Sequence, residues 1–238
     1  MTNPLFAKVS TAWHRLLAGV PSQCEVCRAW PAQRICEDCV ARFARPRLRC
    51  RTCALPVPVG VVQCSHCLRQ PPPLDACVAA VDYGFPWEHI LGAYKFHGDP
   101  GWAGTLGQLL RSTPWAEPVL EAADLVLPLP LSPQRLRHRG FHQTLLLAQV
   151  LAADKVDAKL LLRVRNTPAQ SGLGRAQRLE NLQGAFALAP GRLSDVRGRR
   201  VVLLDDVMTT GTTLHTAATV LREAGAEHIA ALVVARAA

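Results

Sequence analysis

The apolar positions in the last quarter of the chain follow strand and helix periods in turn. Residues 199–207 form an aliphatic run typical of a buried strand, and residues 209–213 form a hydroxyl-rich turn. Residues 214–225 show helical spacing that stops at a glycine, and residues 227–237 return to a strand pattern. This order predicts a βαβ unit with parallel strands and a right-handed crossover.

The same alternation begins earlier in the chain. Residues 163–183 interrupt it, because they are polar, basic and glycine-containing, and we predict a long mobile loop that leads into a short helix. The pattern as a whole predicts an α/β fold with a parallel sheet flanked by helices. The remaining predicted elements are strands at 77–85 and 124–130 and helices at 89–99, 102–113 and 140–154.

Residues before 74 lack this periodicity. We expect a short amphipathic helix at 1–20 rather than a signal peptide, because the segment has no continuous apolar core. Three consecutive prolines at 71–73 mark a stiff linker and a domain boundary. We therefore predict an N-terminal helix at 1–20, a cysteine-rich region at 21–73 and an α/β domain at 74–238. No apolar run reaches the roughly 20 residues that a membrane span needs, so we expect a cytoplasmic protein.

Eight of the nine cysteines lie in four CxxC pairs before residue 68, a spacing typical of structural zinc sites rather than disulfides. Four pairs provide ligands for two zinc ions. A sequential assignment closes the shortest loops, and an interleaved one is the alternative. Thiol redox chemistry is a further alternative, and Cys77 is expected to be a buried strand residue. The sequential groups are Cys24, Cys27, Cys36 and Cys39, followed by Cys50, Cys53, Cys64 and Cys67.

Charge is distributed in blocks. The net charge of +9 comprises +6 over residues 1–77, −4 over 78–124, +9 over 125–200 and −2 over 201–238. Basic blocks favour polyanionic partners, either DNA or a phosphorylated small molecule. The alternative is a generally arginine-rich composition, since 23 of the 27 cationic residues are arginine.

A buried strand between residues 201 and 214 ends in two carboxylates and continues through a threonine-rich turn into a helix. Backbone N–H groups of such a turn bind phosphate, and Gly211 permits its tight path. The carboxylates can accept hydrogen bonds from a sugar diol and help to place magnesium. A mere helix cap would not require two acids and four threonines. The predicted sugar-phosphate site is Asp205, Asp206, Val207, Met208, Thr209, Thr210, Gly211, Thr212 and Thr213.

This stretch resembles the phosphoribosyl pyrophosphate signature of type I phosphoribosyltransferases, over about 13 positions. No Walker A pattern occurs in the chain. The resemblance implies phosphoribosyl pyrophosphate with magnesium as the ligand. It also implies displacement of pyrophosphate by an acceptor, usually a nitrogen base, which the sequence does not identify. The segment 167–185 contains no aromatic residue on which a base could stack.

Two further segments resemble the ComF family. They are PLPLSPQRLRHRGFHQ at 128–143 and TPAQSGLGRAQRLENLQGAF at 167–186. Together with the cysteine-rich front part, they identify the chain as a member of the ComF or ComFC family, with a double zinc ribbon before a type I phosphoribosyltransferase domain. The usual RGFNQ of this family is RGFHQ here, so His142 departs from the pattern.

The resemblance also implies roles for two loops. The first loop holds the pyrophosphate, and Arg137 is expected near it. The second loop is mobile and closes over the reacting centre. Arginines suit this task because their planar forks bind phosphate oxygens, although they could instead face solvent or DNA. The pyrophosphate-loop residues are Leu129, Pro130, Leu131, Ser132, Arg135 and Arg139. The mobile-loop residues are Gln170, Arg175, Arg178 and Asn181.

Two functions follow from the resemblance. The first is phosphoribosyl transfer to an unknown acceptor, in a protein that acts in DNA uptake during natural transformation. The second is a non-catalytic adaptor that senses the ligand and binds single-stranded DNA and protein partners. The family implies a ComFA-like helicase as one such partner.

Overall fold

The computed structural model describes residues 22–30, 32–165 and 184–238. The chain divides into two compact units, Met1–Ala44 and Arg45–Ala238. The predicted helix at 1–20 and the mobile-loop residues Gln170, Arg175, Arg178 and Asn181 lie outside the described residues. Within the described part, no helix has the length and apolar character that crossing a membrane requires.

The first unit is built around two cysteine turns. Ser22 and Ala32 form an antiparallel bridge with backbone N···O distances of 2.8 and 2.7 Å. Helix α1 (Glu37–Phe43) follows the second turn and buries Cys39. With so few apolar side chains in the described part of this unit, its thiols are central to how it holds together.

The second unit contains a four-stranded parallel sheet in the order β1-β6-β5-β2. Strand β6 is buried at eight of its nine positions, and such two-sided burial explains its unbroken aliphatic sequence. Strands β5 and β6 are parallel and joined by helix α8, so the predicted βαβ unit is confirmed. The strands are β1 (Ala76–Asp82), β2 (Leu125–Pro128), β5 (Arg200–Met208) and β6 (His228–Arg236).

Helices precede and follow these strands, as predicted. Two kinds of element were not predicted: the short helices at 116–121 and 133–139, and the small antiparallel pair β3 (Leu161–Arg163) and β4 (Phe186–Leu188). The helices are α2 (Ser65–Arg69), α3 (Trp87–Phe96), α4 (Trp102–Arg111), α5 (Ala116–Glu121), α6 (Pro133–Arg139), α7 (Gln143–Ala152) and α8 (Thr212–Glu223).

The second cysteine group belongs to the same core as the sheet. Cys50, Cys53 and Cys67 are buried in one hydrophobic cluster with strand residues such as Leu127 and Leu203. The proline segment is fixed at its end, because Asp75 accepts hydrogen bonds from the backbone of Ile229 at 2.7 Å and from the side chain of Arg222 at 2.6 Å. The division at residues 20 and 73 stays a prediction, but residues on both sides of 73 share a core.

Candidate functional site

The predicted phosphate loop and pyrophosphate loop meet at the carboxyl ends of β5 and β2. These neighbouring strands are parallel, so both loops leave the sheet at the same edge. The N–H of Leu129 donates to the carbonyl of Leu204 at 2.9 Å. Between the loops lies a cleft of about 840 Å³. The predicted residues that line it are Leu129, Pro130, Leu131, Ser132, Arg135, Arg139, Asp205, Asp206, Val207, Met208, Thr209, Gly211, Thr212 and Thr213.

Gly211 allows the phosphate loop to enter helix α8. It adopts a φ of +81°, and a Cβ placed there would lie 2.5 Å from Met208 Cε and 2.9 Å from the ring of His215. Thr210 does not line the cleft; its hydroxyl lies 2.7 Å from that of Thr212. Thr210 therefore orders the first turn of the helix, and the other predicted members of the loop form the cleft wall.

The two carboxylates at the end of β5 differ in environment. Asp206 is buried, and its Oδ1 lies 2.8 Å from Nζ of Lys95, which is itself largely buried. Asp205 accepts the N–H of Asp206 at 2.8 Å. Burial and the Asp206 carboxylate raise the pKa of Asp205 to about 7, although Lys95 opposes the shift. The charge of Asp206 is thus compensated by Lys95, whereas Asp205 loses its proton only near neutral pH.

Lys95 also lines the cleft, although it was not predicted from the sequence. It lies in the last turn of α3, next to the buried Tyr94, whose hydroxyl donates to the carbonyl of Gln143 at 2.7 Å. The Gln143 amide lies 3.4 Å from the carbonyl of Lys95. In the sequence, the only indication was that Lys95 follows an aromatic residue on the apolar face of a predicted helix. Its partner Asp206 lies more than 100 residues later, and only the fold brings the two side chains together.

Positive charge is concentrated beside the acid pair. Arg163 lines the cleft from the end of β3, where its Cζ lies 5.5 Å from the centre of the Phe186 ring. Burial and the nearby Arg135 guanidinium lower the pKa of Arg163 to about 10, and the Asp205 carboxylate opposes this shift. Burial and then Arg139 lower the pKa of Arg135. Arginines that crowd one another in this way favour a polyanionic ligand.

Exposed aromatic rings line one side of the cleft. Tyr83 follows β1 and is 43% exposed, and Phe96 ends α3 and is 64% exposed. The Arg139 guanidinium lies 5.2 Å from the centre of the Phe96 ring. Tyr83 and Phe96 therefore offer aromatic surfaces for stacking at the cleft, whereas residues 167–185 contain no aromatic side chain.

His142 supports the pyrophosphate loop from behind. Its Nε2 lies 3.0 Å from the carbonyl of Leu129 and 3.1 Å from the Thr144 hydroxyl, and the tautomer with hydrogen on Nε2 donates to that carbonyl. The Thr144 hydroxyl donates to the same carbonyl at 2.9 Å. Burial lowers the pKa of His142, although its hydrogen bond to Leu129 opposes the shift, so the ring is neutral at pH 7. An asparagine amide could donate to the same carbonyl, which explains why the departure from RGFNQ is compatible with the loop.

The eight paired cysteines form two groups, and their members are those of the sequential assignment. In each group the four sulfurs lie within 4.8 Å of one another. The Sγ atoms of Cys27 and Cys36 are 3.5 Å apart, and those of Cys53 and Cys64 are 3.7 Å apart. Four sulfurs at about 2.3 Å from one tetrahedral zinc ion lie about 3.8 Å apart, so both groups suit structural zinc.

The backbone of each group stabilises a thiolate. The N–H of Cys36 lies 3.3 Å from Cys24 Sγ, and the N–H of Cys64 lies 3.3 Å from Cys50 Sγ. Although burial disfavours the charged form, such N–H donors lower the pKa of Cys24 to about 6 and that of Cys50 to about 6. Zinc binds the thiolate form, so these donors favour metal binding. Cys77 is buried in β1, as predicted.

Comparison with known proteins agrees with this arrangement. A model of the phosphoribosyl transferase domain matches residues 146–238. DNA utilization protein YhgH of Salmonella typhimurium is 35% identical over 222 residues, which are 87% of this chain and 93% of the relative. Competence protein F of Haemophilus influenzae is 33% identical over 195 residues, or 79% and 84% of the two chains. Competence protein ComFC of Bacillus subtilis is 28% identical over 202 residues, or 82% and 80%. The chain belongs to the ComF/ComFC family.

Proposed function

We propose that this protein binds phosphoribosyl pyrophosphate with magnesium and acts in DNA uptake during natural transformation, in the cytoplasm. The ligand proposal is supported by the meeting of the Gly211 turn, the acid pair and Arg135 in one cleft. The process is supported by the relatives named competence protein F and competence protein ComFC.

Each part of the cleft suits one part of this ligand. The backbone N–H groups of the turn and the hydroxyls of Thr209, Thr212 and Thr213 bind the 5′-phosphate. Asp205 accepts hydrogen bonds from the ribose hydroxyls, while Lys95 compensates the charge of Asp206. Arg135 and Arg139 bind pyrophosphate oxygens. Magnesium, when bound, neutralises the pyrophosphate.

The reaction that we propose is transfer of the phosphoribosyl group. The bond from C1 of the ribose to the pyrophosphate oxygen breaks, and a bond from C1 to an acceptor nitrogen forms. The ionised Asp205 carboxylate stabilises positive charge on the sugar as the bond breaks, and no protein nucleophile is needed. The exposed rings of Tyr83 and Phe96 favour transfer over mere sensing, because they offer a surface for a flat acceptor base.

Release of pyrophosphate tests this function. The protein is mixed with phosphoribosyl pyrophosphate, magnesium and either a panel of free purine and pyrimidine bases or single-stranded DNA. We expect release that depends on one acceptor and is lost when Asp205 is replaced by Asn. Tight calorimetric binding without release from any acceptor would establish the adaptor function instead, and no binding would contradict the ligand.

Replacing Phe96 with Ala should weaken binding of the nucleotide product more than binding of phosphoribosyl pyrophosphate, which loses only the contact between Phe96 and Arg139. Loss of one stacked base is worth about 1–3 kcal/mol, so we expect roughly a tenfold higher Kd for purine nucleoside monophosphates. Phe85→Ala is the matched control, since Phe85 is 61% exposed but does not line the cleft. Equal effects of the two substitutions in calorimetric titrations would contradict a stacking role for Phe96.

Replacing His142 tests its support of the pyrophosphate loop. His142→Leu removes one hydrogen bond to Leu129, and we expect the Kd for phosphoribosyl pyrophosphate to rise about fivefold, as for a typical hydrogen bond. His142→Asn keeps a donor, and we expect an affinity within about twofold of the unmodified protein. Calorimetry at pH 7 measures both. If His142→Asn bound phosphoribosyl pyrophosphate as weakly as His142→Leu, the hydrogen bond donated to Leu129 would not account for the role of His142.

We also propose single-stranded DNA and a ComFA-like helicase as partners. The last turn of α6 carries Arg137, His138 and Arg139, and Arg137 is exposed beside the cleft mouth rather than lining it. Phosphate contacts are salt-dependent, so a gel shift with single-stranded DNA should weaken steeply as salt rises. A shift that is insensitive to salt and to Arg137→Gln would contradict this surface.

A further inference from the structure

A buried arginine connects the second cysteine group to the phosphate loop. Arg236 is the last residue of β6 and is 5% exposed. Its Nε donates to the carbonyl of Cys53 at 2.7 Å. One of its terminal nitrogens donates to the carbonyl of Met208 at 3.1 Å and also to that of Thr209. One guanidinium thus bonds both to a predicted zinc ligand and to the loop that precedes Gly211.

These bonds fix the orientation of the loop peptides. In a trans peptide the C=O of one residue and the N–H of the next point in opposite directions. Because the carbonyls of Met208 and Thr209 accept from Arg236, the N–H groups of Thr209 and Thr210 point away from it. The carbonyl of Met208 is held a second time by the N–H of Ala237 at 2.9 Å. Donors of this kind are what a phosphate-binding turn must present.

The other end of the connection is the metal-binding turn. Cys53 Sγ lies 3.7 Å from Cys64 Sγ within the four-sulfur group, so a metal ion would hold the backbone that carries the Cys53 carbonyl. The same turn is attached to β1, because the N–H of Cys77 donates to the carbonyl of Arg51 at 2.7 Å. Cys77 Sγ in turn lies 3.6 Å from Met208 Sδ.

Burying the charged Arg236 side chain costs free energy, and filling the space by packing would not require a charged residue. Between His228 and Arg236 the strand is aliphatic, and a buried guanidinium loses its hydration. Hydrogen bonds to several carbonyls offset that loss. A methionine of similar length would fill the space but would leave the carbonyls of Cys53 and Thr209 without this donor.

We propose that Arg236 is a positioning residue through which zinc at Cys50, Cys53, Cys64 and Cys67 and phosphoribosyl pyrophosphate at residues 205–213 stabilise each other. The proposal rests on the proposed ligand and adds a reciprocal coupling between the two sites. By thermodynamic linkage, zinc tightens ligand binding and the ligand tightens zinc binding by the same free energy.

The test compares the full-length protein with Arg236→Lys and Arg236→Met, and Arg222→Met serves as an arginine control outside the loop. Calorimetry should show roughly a 30-fold higher Kd for phosphoribosyl pyrophosphate in Arg236→Met and a smaller rise in Arg236→Lys, which keeps part of the hydrogen bonding. Zinc loss to a chromogenic chelator should slow on ligand addition for the second group only. This slowing should disappear in Arg236→Met. The Cys24→Ser, Cys27→Ser protein lacks the first zinc site, so the zinc release that it still shows comes from the second group.

Amide hydrogen exchange of residues 208–213 supplies a readout that needs no ligand. We expect faster exchange there in Arg236→Lys than in the unmodified protein, with zinc retained in both, while the strands of the sheet stay protected. Unchanged exchange of residues 208–213 in Arg236→Lys would overturn the coupling even if the ligand binds. Absence of ligand binding in the unmodified protein, with the faster exchange in Arg236→Lys intact, would contradict the proposed ligand and leave the positioning of the loop by Arg236 established.

Discussion

Replacing Asp205 with Asn should abolish binding of phosphoribosyl pyrophosphate and also make the ligand-free protein more stable at pH 8. Burial and the Asp206 carboxylate raise the pKa of Asp205 to about 7. A carboxyl with a raised pKa in the folded state stabilises the fold below its unfolded-state pKa, and that contribution is lost as pH rises through about 7. At pH 8 the folded protein therefore bears the cost of a half-buried charge beside the Asp206 carboxylate, and Asn removes that charge.

The expected gain at pH 8 is on the order of 2 kcal/mol, or a melting temperature about 4–8 °C higher. At pH 4 the unmodified carboxyl is protonated in the folded protein, so the gain should be much smaller. Ligand affinity should fall at least about 100-fold, since a neutral amide is a weaker acceptor than the carboxylate that we propose for the ribose hydroxyls.

Asp206→Asn is the matched control for this prediction. Asp206 forms the ion pair with Lys95 at 2.8 Å, so its removal leaves a largely buried cation without that partner. We expect Asp206→Asn to lower the melting temperature at pH 8, opposite to Asp205→Asn. Thermal unfolding of both variants at pH 4 and pH 8 measures this difference. Lower stability of Asp205→Asn at pH 8 would contradict the half-buried charge at that position.

Replacing Cys50 and Cys53 with Ser should prevent the sheet from folding, whereas replacing Cys24 and Cys27 should leave it folded. The second group is part of the core that includes Leu127 and Leu203. Binding of structural zinc contributes about 10–16 kcal/mol in small zinc folds, which is as large as the whole stability of a typical protein of about 5–15 kcal/mol. Loss of that metal should therefore leave the second unit unfolded.

The first cysteine group provides the control, because it lies in a separate compact unit. We expect the Cys24→Ser, Cys27→Ser protein to bind one equivalent of zinc and to keep the thermal transition of the sheet. Zinc analysis and near-ultraviolet circular dichroism measure these properties. A cooperative native transition in the Cys50→Ser, Cys53→Ser protein would contradict the structural role of the second group.

Much of the sheet could be predicted because its strands are buried on both faces. Long aliphatic runs such as that of β6 have few alternatives, and the glycine after α8 marks where the helix ends. The short helices α5 and α6 and the β3–β4 pair were missed, because three to seven residues carry too few periods to define a pattern.

The local parts of the candidate site were likewise predictable, and its distant contacts were not. Asp205, Gly211 and the cysteine pairs lie within short motifs whose chemistry can be inferred from spacing. Lys95, Arg163 and Arg236 act across the fold, so their partners are separated from them by many residues in the sequence. Arg236 in particular ends an aliphatic strand, where a charged residue is normally expected to face solvent.

The shared core also determines where the chain can be divided. A fragment that begins at residue 74 would lack the cysteine turns that share a core with the sheet, and it would expose part of that apolar core to water. Its Arg236 would also lose the Cys53 carbonyl. A fragment that begins at Arg45 keeps these contacts. We therefore expect residues 45–238 to fold on their own and to suit solution study better than residues 74–238.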